Sequence, residues 1–209
     1  MRKKVVIGLL GGVGSGKTLV AGMLGSLGAA VIDADKIGHE VLKNRTIKAQ
    51  IRRRFGKEVF TPKGNISRTR LARAAFASIK DIRALNRITH PEILKRMKRE
   101  IAEVKKAREA KAVVLDAPLL LEAGLASLCD RLIYVQAGKV LRRKRTSRSR
   151  KWNPEDFRRR EAMQMPLEKK RRRASLVIDN SGTRPKTLAQ VHKIWQALTG
   201  TNNPHNPRS

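Results

Sequence analysis

The sequence predicts an α/β chain, a three-layer sandwich with a five-stranded parallel sheet between layers of helices, and three observations carry that expectation. Five short apolar runs recur along the chain, at residues 5–10, 29–33, 112–117, 131–136 and 175–179. They are apolar almost throughout and not at alternate positions, as strands covered on both faces of a parallel sheet must be. Helical periodicity fills the stretches between them, at residues 19–27, 69–76, 79–88, 91–110 and 185–198. The first run leads straight into GGVGSGKT (residues 11–18). A strand, then Gly-x-x-x-x-Gly-Lys-Thr, then a helix is the arrangement of P-loop NTPases.

Each element has its own local reason. The glycines of the loop let successive backbone N–H groups point inward, which makes a concave anion site at a helix N-terminus. Lys17 then reaches the β- and γ-phosphates of a nucleotide, and the Thr18 hydroxyl is placed to ligate Mg²⁺. An ordinary glycine-rich turn is the plain alternative. Gly28 lies where the first helix stops, as a C-terminal cap. The second strand ends in Asp33-Ala34-Asp35. A carboxylate at that end of a P-loop sheet either accepts a proton from an attacking hydroxyl, holds Mg²⁺ through water, or caps the next helix. Asp116 closes the third strand with the same choice between Walker B acid and cap. Residues 43–90 lack a long apolar strand and read as a helical insertion. Asn153-Pro154-Glu155-Asp156 is a helix start: a capping Asn, Pro at the first position and acids in the first turn.

Residues 142–173 hold fifteen Lys or Arg and four acids. They are either a solvated helical hairpin or a lid whose guanidiniums close over a transferring phosphoryl group. The place between the fourth and fifth strands favours the lid. The expected organisation is one domain over 1–200. Its core is 1–42, 111–141 and 174–200, with a helical substrate-binding insertion at 43–110 and a basic lid at 142–173. The polar tail 201–209 is expected to be disordered.

Composition narrows the classes. No apolar stretch approaches the roughly 18 residues of a membrane span, so no membrane partner is expected. The basic start MRKK leads into a strand and lacks the cleavage site of a signal peptide. A single cysteine, Cys129, excludes an internal disulfide and fits a reducing cytoplasm. Forty-eight Lys and Arg against 17 acids give a formal charge of +31, which attracts polyanions and implies non-specific nucleic-acid binding. Aromatics make up only 3% of the chain and none alternates with the basic runs as a base-stacking surface would.

There is no Asn-Lys-x-Asp to read guanine and no Leu-Ser-Gly-Gly-Gln of transporter ATPases, which points to a small-molecule kinase. Five stretches then agree with one family: GLLGGVGSGKT (8–18), DADKIGHEVL (33–42), THPEI (89–93), DAPLLLEAG (116–124) and QMPLEKKRRRASLVIDNSG (164–182). The chain resembles the dephospho-CoA kinases, which phosphorylate the ribose 3′-hydroxyl of dephospho-CoA in the last step of coenzyme A synthesis. The chain is expected to be a monomer, and the resemblance implies the use of ATP and Mg²⁺. It implies ATP binding by Gly12, Val13, Gly14, Ser15, Gly16, Lys17, Thr18 and Leu19, and contact between Asn180 and the adenine. By the same resemblance, Asp33 is the general base, and His90, Pro91, Pro118, Leu119 and Glu122 line the acceptor pocket. Arg160 fits the register of the family's lid, with Arg148 and Arg145 as further phosphate contacts. Leu121 departs from the family, which commonly has Phe there, and the charge is far above the family's usual value. A kinase of another small metabolite, or an RNA-associated NTPase gripping phosphates with the lid, are the rival readings.

Overall fold

The central strand has to be apolar on both sides because both faces of the sheet are covered there, and β1 (Val5–Leu10) meets that demand. The computed structural model describes residues 4–200; the expectation for the tail at 201–209 lies outside the described residues. Five parallel strands form one sheet in the order β2 (Ala29–Asp33), β3 (Ala112–Asp116), β1, β4 (Arg131–Gln136), β5 (Leu176–Asp179). These are the five apolar runs, with the third and the fifth each one residue shorter than expected. In register, Gly8 lies beside Leu115 and Leu132, and Asp33 beside Asp116.

Helices α1 (Lys17–Ser26) and α9 (Arg184–Thr199) cover one face of the sheet. Ile7 and Leu9 of β1, Val114, Ile133, Val135 and Ile178 pack there with Val20, Leu24, Val191 and Trp195. Burying each such side chain contributes about 1.5–3 kcal/mol. On the opposite face, a Cβ at Gly8 would stand 2.7 Å from Cys129 Sγ and from a Leu132 methyl, so this position of β1 has no room for a side chain. The α1 terminus is as the sequence implied: Gly28 takes φ 104° and donates to the Gly25 carbonyl at 2.9 Å.

The chain divides into two compact units, residues 34–99 and the remainder of the described chain on either side of them. The smaller unit is helical, with α2 (Ala34–Val41), α3 (Arg45–Phe55), α4 (Arg68–Ala75) and most of α5 (Ile79–Lys106). Asn44 and Ser67 cap α3 and α4 through their side chains. Arg54 pairs with Asp81, whose carboxyl is held below its ordinary range by the Ser78 hydroxyl and that guanidinium.

One expectation is corrected here. Separate helices at 79–88 and 91–110 were predicted because proline disfavours a helical residue before it. The chain instead forms a single 28-residue helix with Pro91 inside it. The cost is a missing N–H opposite the Arg87 carbonyl. The helix continues because the turns on both sides are packed and its bonds are otherwise kept; the Thr89 hydroxyl also returns a bond to the Leu85 carbonyl at 3.0 Å.

The basic segment folds as α6 (Lys139–Arg150), α7 (Pro154–Ala162) and α8 (Leu167–Arg173). Asn153 caps α7 by accepting from the Asp156 N–H at 2.8 Å, with Pro154 at the first position. No helix of the described residues is long and apolar enough to cross a membrane.

Candidate nucleotide-binding site

The loop between β1 and α1 is shaped by glycine where the backbone leaves the region open to other residues. Gly14 and Gly16 take φ 73° and 95°. Gly16 is the N-cap of α1 and brings no capping side chain, and the first turn carries no acid. The N–H groups that open a helix are therefore left for an anion. Ser15 Oγ is buried without a partner among the described residues, an unmet polar atom of the kind a bound phosphate satisfies. Loop and helix start together fit a nucleotide's phosphates.

Lys17 lies beneath this loop. Its Nζ donates to the carbonyls of Gly11 and Gly12 at 2.9 and 3.0 Å, and the residue is 9% exposed. Burial and then the charge of Lys170 push its ammonium down to about 8, against the opposing pull of Asp116. An ammonium that is poorly neutralised by the protein is one that gains from an anionic ligand. Thr18 is exposed at the start of α1, Val13 is buried and Leu19 is half-buried.

Asp33 and Asp116 end adjacent strands side by side at the C-terminal edge of the sheet, the edge at which β1 passes into the loop. The oxygen donors on offer are thus a hydroxyl at Thr18 and carboxylates at Asp33 and Asp116, a hard set that suits Mg²⁺. Asp33 precedes α2 directly, while Asp35 sits inside its first turn.

The loop is braced from outside by residues distant in sequence. Asn180 Nδ2 donates to the Ser15 carbonyl at 2.8 Å, and its Oδ1 accepts from the Thr187 hydroxyl at 3.0 Å. Arg145 donates to the carbonyls of Ser15 and Asn180, at 3.4 and 2.8 Å. Arg142, 3% exposed, donates to Val13 O at 3.2 Å and Ala137 O at 3.1 Å, and pairs with Glu161 at 2.7 Å.

Glu122 accepts from the Met165 N–H at 2.7 Å and pairs with Lys170 Nζ at 2.9 Å. Pro118 is half-buried and Leu119 is 43% exposed. Arg160 is stacked over Trp152, 4.3 Å from the ring centroid, with Arg150 at 4.9 Å from the same ring. Arg148 is exposed and lines an open groove with Arg143, Lys144 and Trp152. In the smaller unit, His90 is half-buried, which lowers its pKa, and Pro91 is exposed.

Sequence reasoning missed Arg142 and Lys170, each hidden in a run of like charges. The available signal was spacing: Arg142 and Arg145 share one face of α6, and Lys170 follows the apolar Leu167 by one turn.

A glycine-shaped loop at a helix start, a lysine beneath it, paired carboxylates at the neighbouring strand ends and a basic helical segment bracing the whole define a P-loop phosphotransferase. The sequence profile described as dephospho-CoA kinase matches residues 5–186, and the chain belongs to the dephospho-CoA kinase family. A dephospho-CoA kinase of Corynebacterium diphtheriae is 38% identical over 192 residues, covering 91% of this chain and 96% of the relative. The dephospho-CoA kinase of Aquifex aeolicus is 39% identical over 195 residues, covering 92% and 97%. Among solved structures, the crystal structure of TT1252 from Thermus thermophilus superposes with a TM-score of 0.82 at 31% identity, covering 94% of this chain and 98% of that one.

Proposed function

We propose that the chain transfers the γ-phosphoryl group of ATP to the ribose 3′-hydroxyl of dephospho-CoA, giving coenzyme A and ADP. The observation that carries this reading is a phosphate loop with Lys17 beneath it, beside the Asp33 and Asp116 strand ends, in a chain of this family.

The loop amides and Lys17 hold the β- and γ-phosphates and take up the charge that builds on the leaving oxygen. Asp33 orients the 3′-hydroxyl and accepts its proton. Thr18, with Asp116, would hold Mg²⁺, which when bound would supply further charge neutralisation. Residues 142–173 act as the lid, in which Arg142 and Arg145 keep the loop in shape. Arg148, exposed on α6, and Arg160, stacked on Trp152, are the arginines that turn towards phosphate on closure. In this reading Asn180 serves the adenine site by fixing the loop's far side, and Glu122 serves the acceptor side by fixing the turn that carries Pro118 and Leu119. His90 and Pro91, on α5 of the smaller unit, serve acceptor binding. The enzyme works as a cytoplasmic monomer.

The test is ADP release by nuclease-treated protein in ATP and Mg²⁺, with and without dephospho-CoA. Strong stimulation with coenzyme A as product is expected. Stimulation by RNA and not by dephospho-CoA would replace this reading with an RNA-associated NTPase.

A further inference from the structure

Three cationic side chains are buried among the described residues: Lys17, Arg142 and Lys170. Lys17 belongs to the phosphate loop, and Arg142 spends its donors on backbone carbonyls and Glu161. Lys170 is 1% exposed, with Nζ 2.9 Å from Glu122 Oε1 and 3.3 Å from Gln164 Oε1. An ammonium has three donors, and these are its two acceptors among the described residues. Helix α8 reaches the loop itself, since a Cβ at Gly12 would stand 3.1 Å from a Leu167 methyl. Lys170 is one turn further along the same face. Of all the charges around Lys17, that of Lys170 acts on it most strongly.

Around this buried place Lys17, Lys170 and Arg150 act against the carboxylates of Asp116 and Glu122, which leaves a positive excess. Hydrophobic residues in place of the whole Lys170–Glu122 pair would fill the same space at no greater cost. The excess is explained if an anion completes it, and the anion this place serves is the phosphoryl group above Lys17.

We propose that Lys170, held by Glu122 and Gln164, is a second fixed ammonium for the phosphoryl group that Lys17 receives. The inference rests on the kinase reading above. In the transfer, the bond from the γ-phosphorus to the bridging oxygen of ADP breaks as the bond from the acceptor oxygen forms. The acceptor's proton goes to Asp33. Lys170 neither gives nor takes a proton; it stabilises charge on the group in flight.

The experiment compares wild type with Lys170→Met, Lys170→Arg and Glu122→Gln. It measures kcat and, by calorimetry, the affinity for ADP and Mg²⁺ with and without fluoroaluminate, which mimics the transferring group. Wild type is expected to bind ADP roughly tenfold or more tightly once fluoroaluminate is added. Lys170→Met should lose that gain and drop kcat on the order of 10²-fold, as for loss of one preorganised donor. Its affinity for ADP alone should stay within about threefold, and its Tm should fall, because Glu122 loses its buried partner. Lys170→Arg should restore part of the gain, which a purely structural role would not require. Folded Lys170→Met with the gain intact and kcat within about threefold of wild type would overturn the proposal, as would a wild type with no gain at all. If Lys170→Met does not fold, Glu122→Gln decides on the same readout. A wild type that shows the gain but makes no coenzyme A would sink the acceptor reading and leave Lys170 supported.

Discussion

Burial brings the Lys17 ammonium down to about 8 from an ordinary 10.5, and this has a consequence for stability. Between those two values the unfolded chain binds a proton that the folded, nucleotide-free chain does not, so the lysine's penalty is present in full below pH 8 and fades as pH rises towards 10.5. Two and a half units correspond to roughly 3 kcal/mol. Lys17→Met is therefore expected to melt above wild type at pH 7 without nucleotide, with the gap closing from pH 8 to 10.5. Calorimetric melts across that range check it, and a gap that is constant or opposite in sign contradicts it. In the proposed transfer, Asp33 is the general base. Asp33→Ala should lower kcat on the order of 10²-fold or more, as expected for a lost general base, with ATP affinity within a few-fold by titration. Near-normal turnover would remove the assignment.

Whole elements were legible in the sequence to the extent that one local force decided them. The five strands were readable because burial on both faces leaves an uninterrupted apolar run. The start of α7 was readable from Asn153-Pro154, where capping chemistry is local. The loop's phosphate role was readable for the same reason. The continuity of α5 was not, because packing on both sides of Pro91 outweighs a local rule. Nor was the direction of each arginine in the lid. Charge repeats there at almost every position, and only the fold decides that Arg142 turns in while Arg143 faces water. Two predictions belong here. Pro91→Ala should stabilise the chain by about 1–3 kcal/mol, by giving the Arg87 carbonyl its N–H partner, in denaturant unfolding. A neutral or destabilising result would mean that the Pro91 ring itself contributes packing that alanine cannot replace. Arg142→Ala should do the reverse, costing about 3–5 kcal/mol as one partner of a buried pair is removed. It should also weaken ATP binding, because Val13 loses its brace.

At the scale of the whole molecule, the chain carries a formal charge of +31, and the ligands of the proposed reaction are polyanions. Encounter with ATP or dephospho-CoA should be steered, so kcat/KM is expected to fall as salt rises from 50 to 500 mM, about as the Debye length shrinks. Stopped-flow association at several salt concentrations measures this, and a flat response would confine the charge to solubility. The same excess makes nucleic acid a contaminant to be removed first. The brace on Ser15 has a consequence for how the protein is made. The loop appears within the first twenty residues, yet the amide that grips its carbonyl is 165 residues further on. Chains grow from the ribosome at about 5–20 residues per second. A nascent chain therefore carries its phosphate motif unsupported for most of synthesis, and the site is finished only when the last strand and its Asn180 emerge.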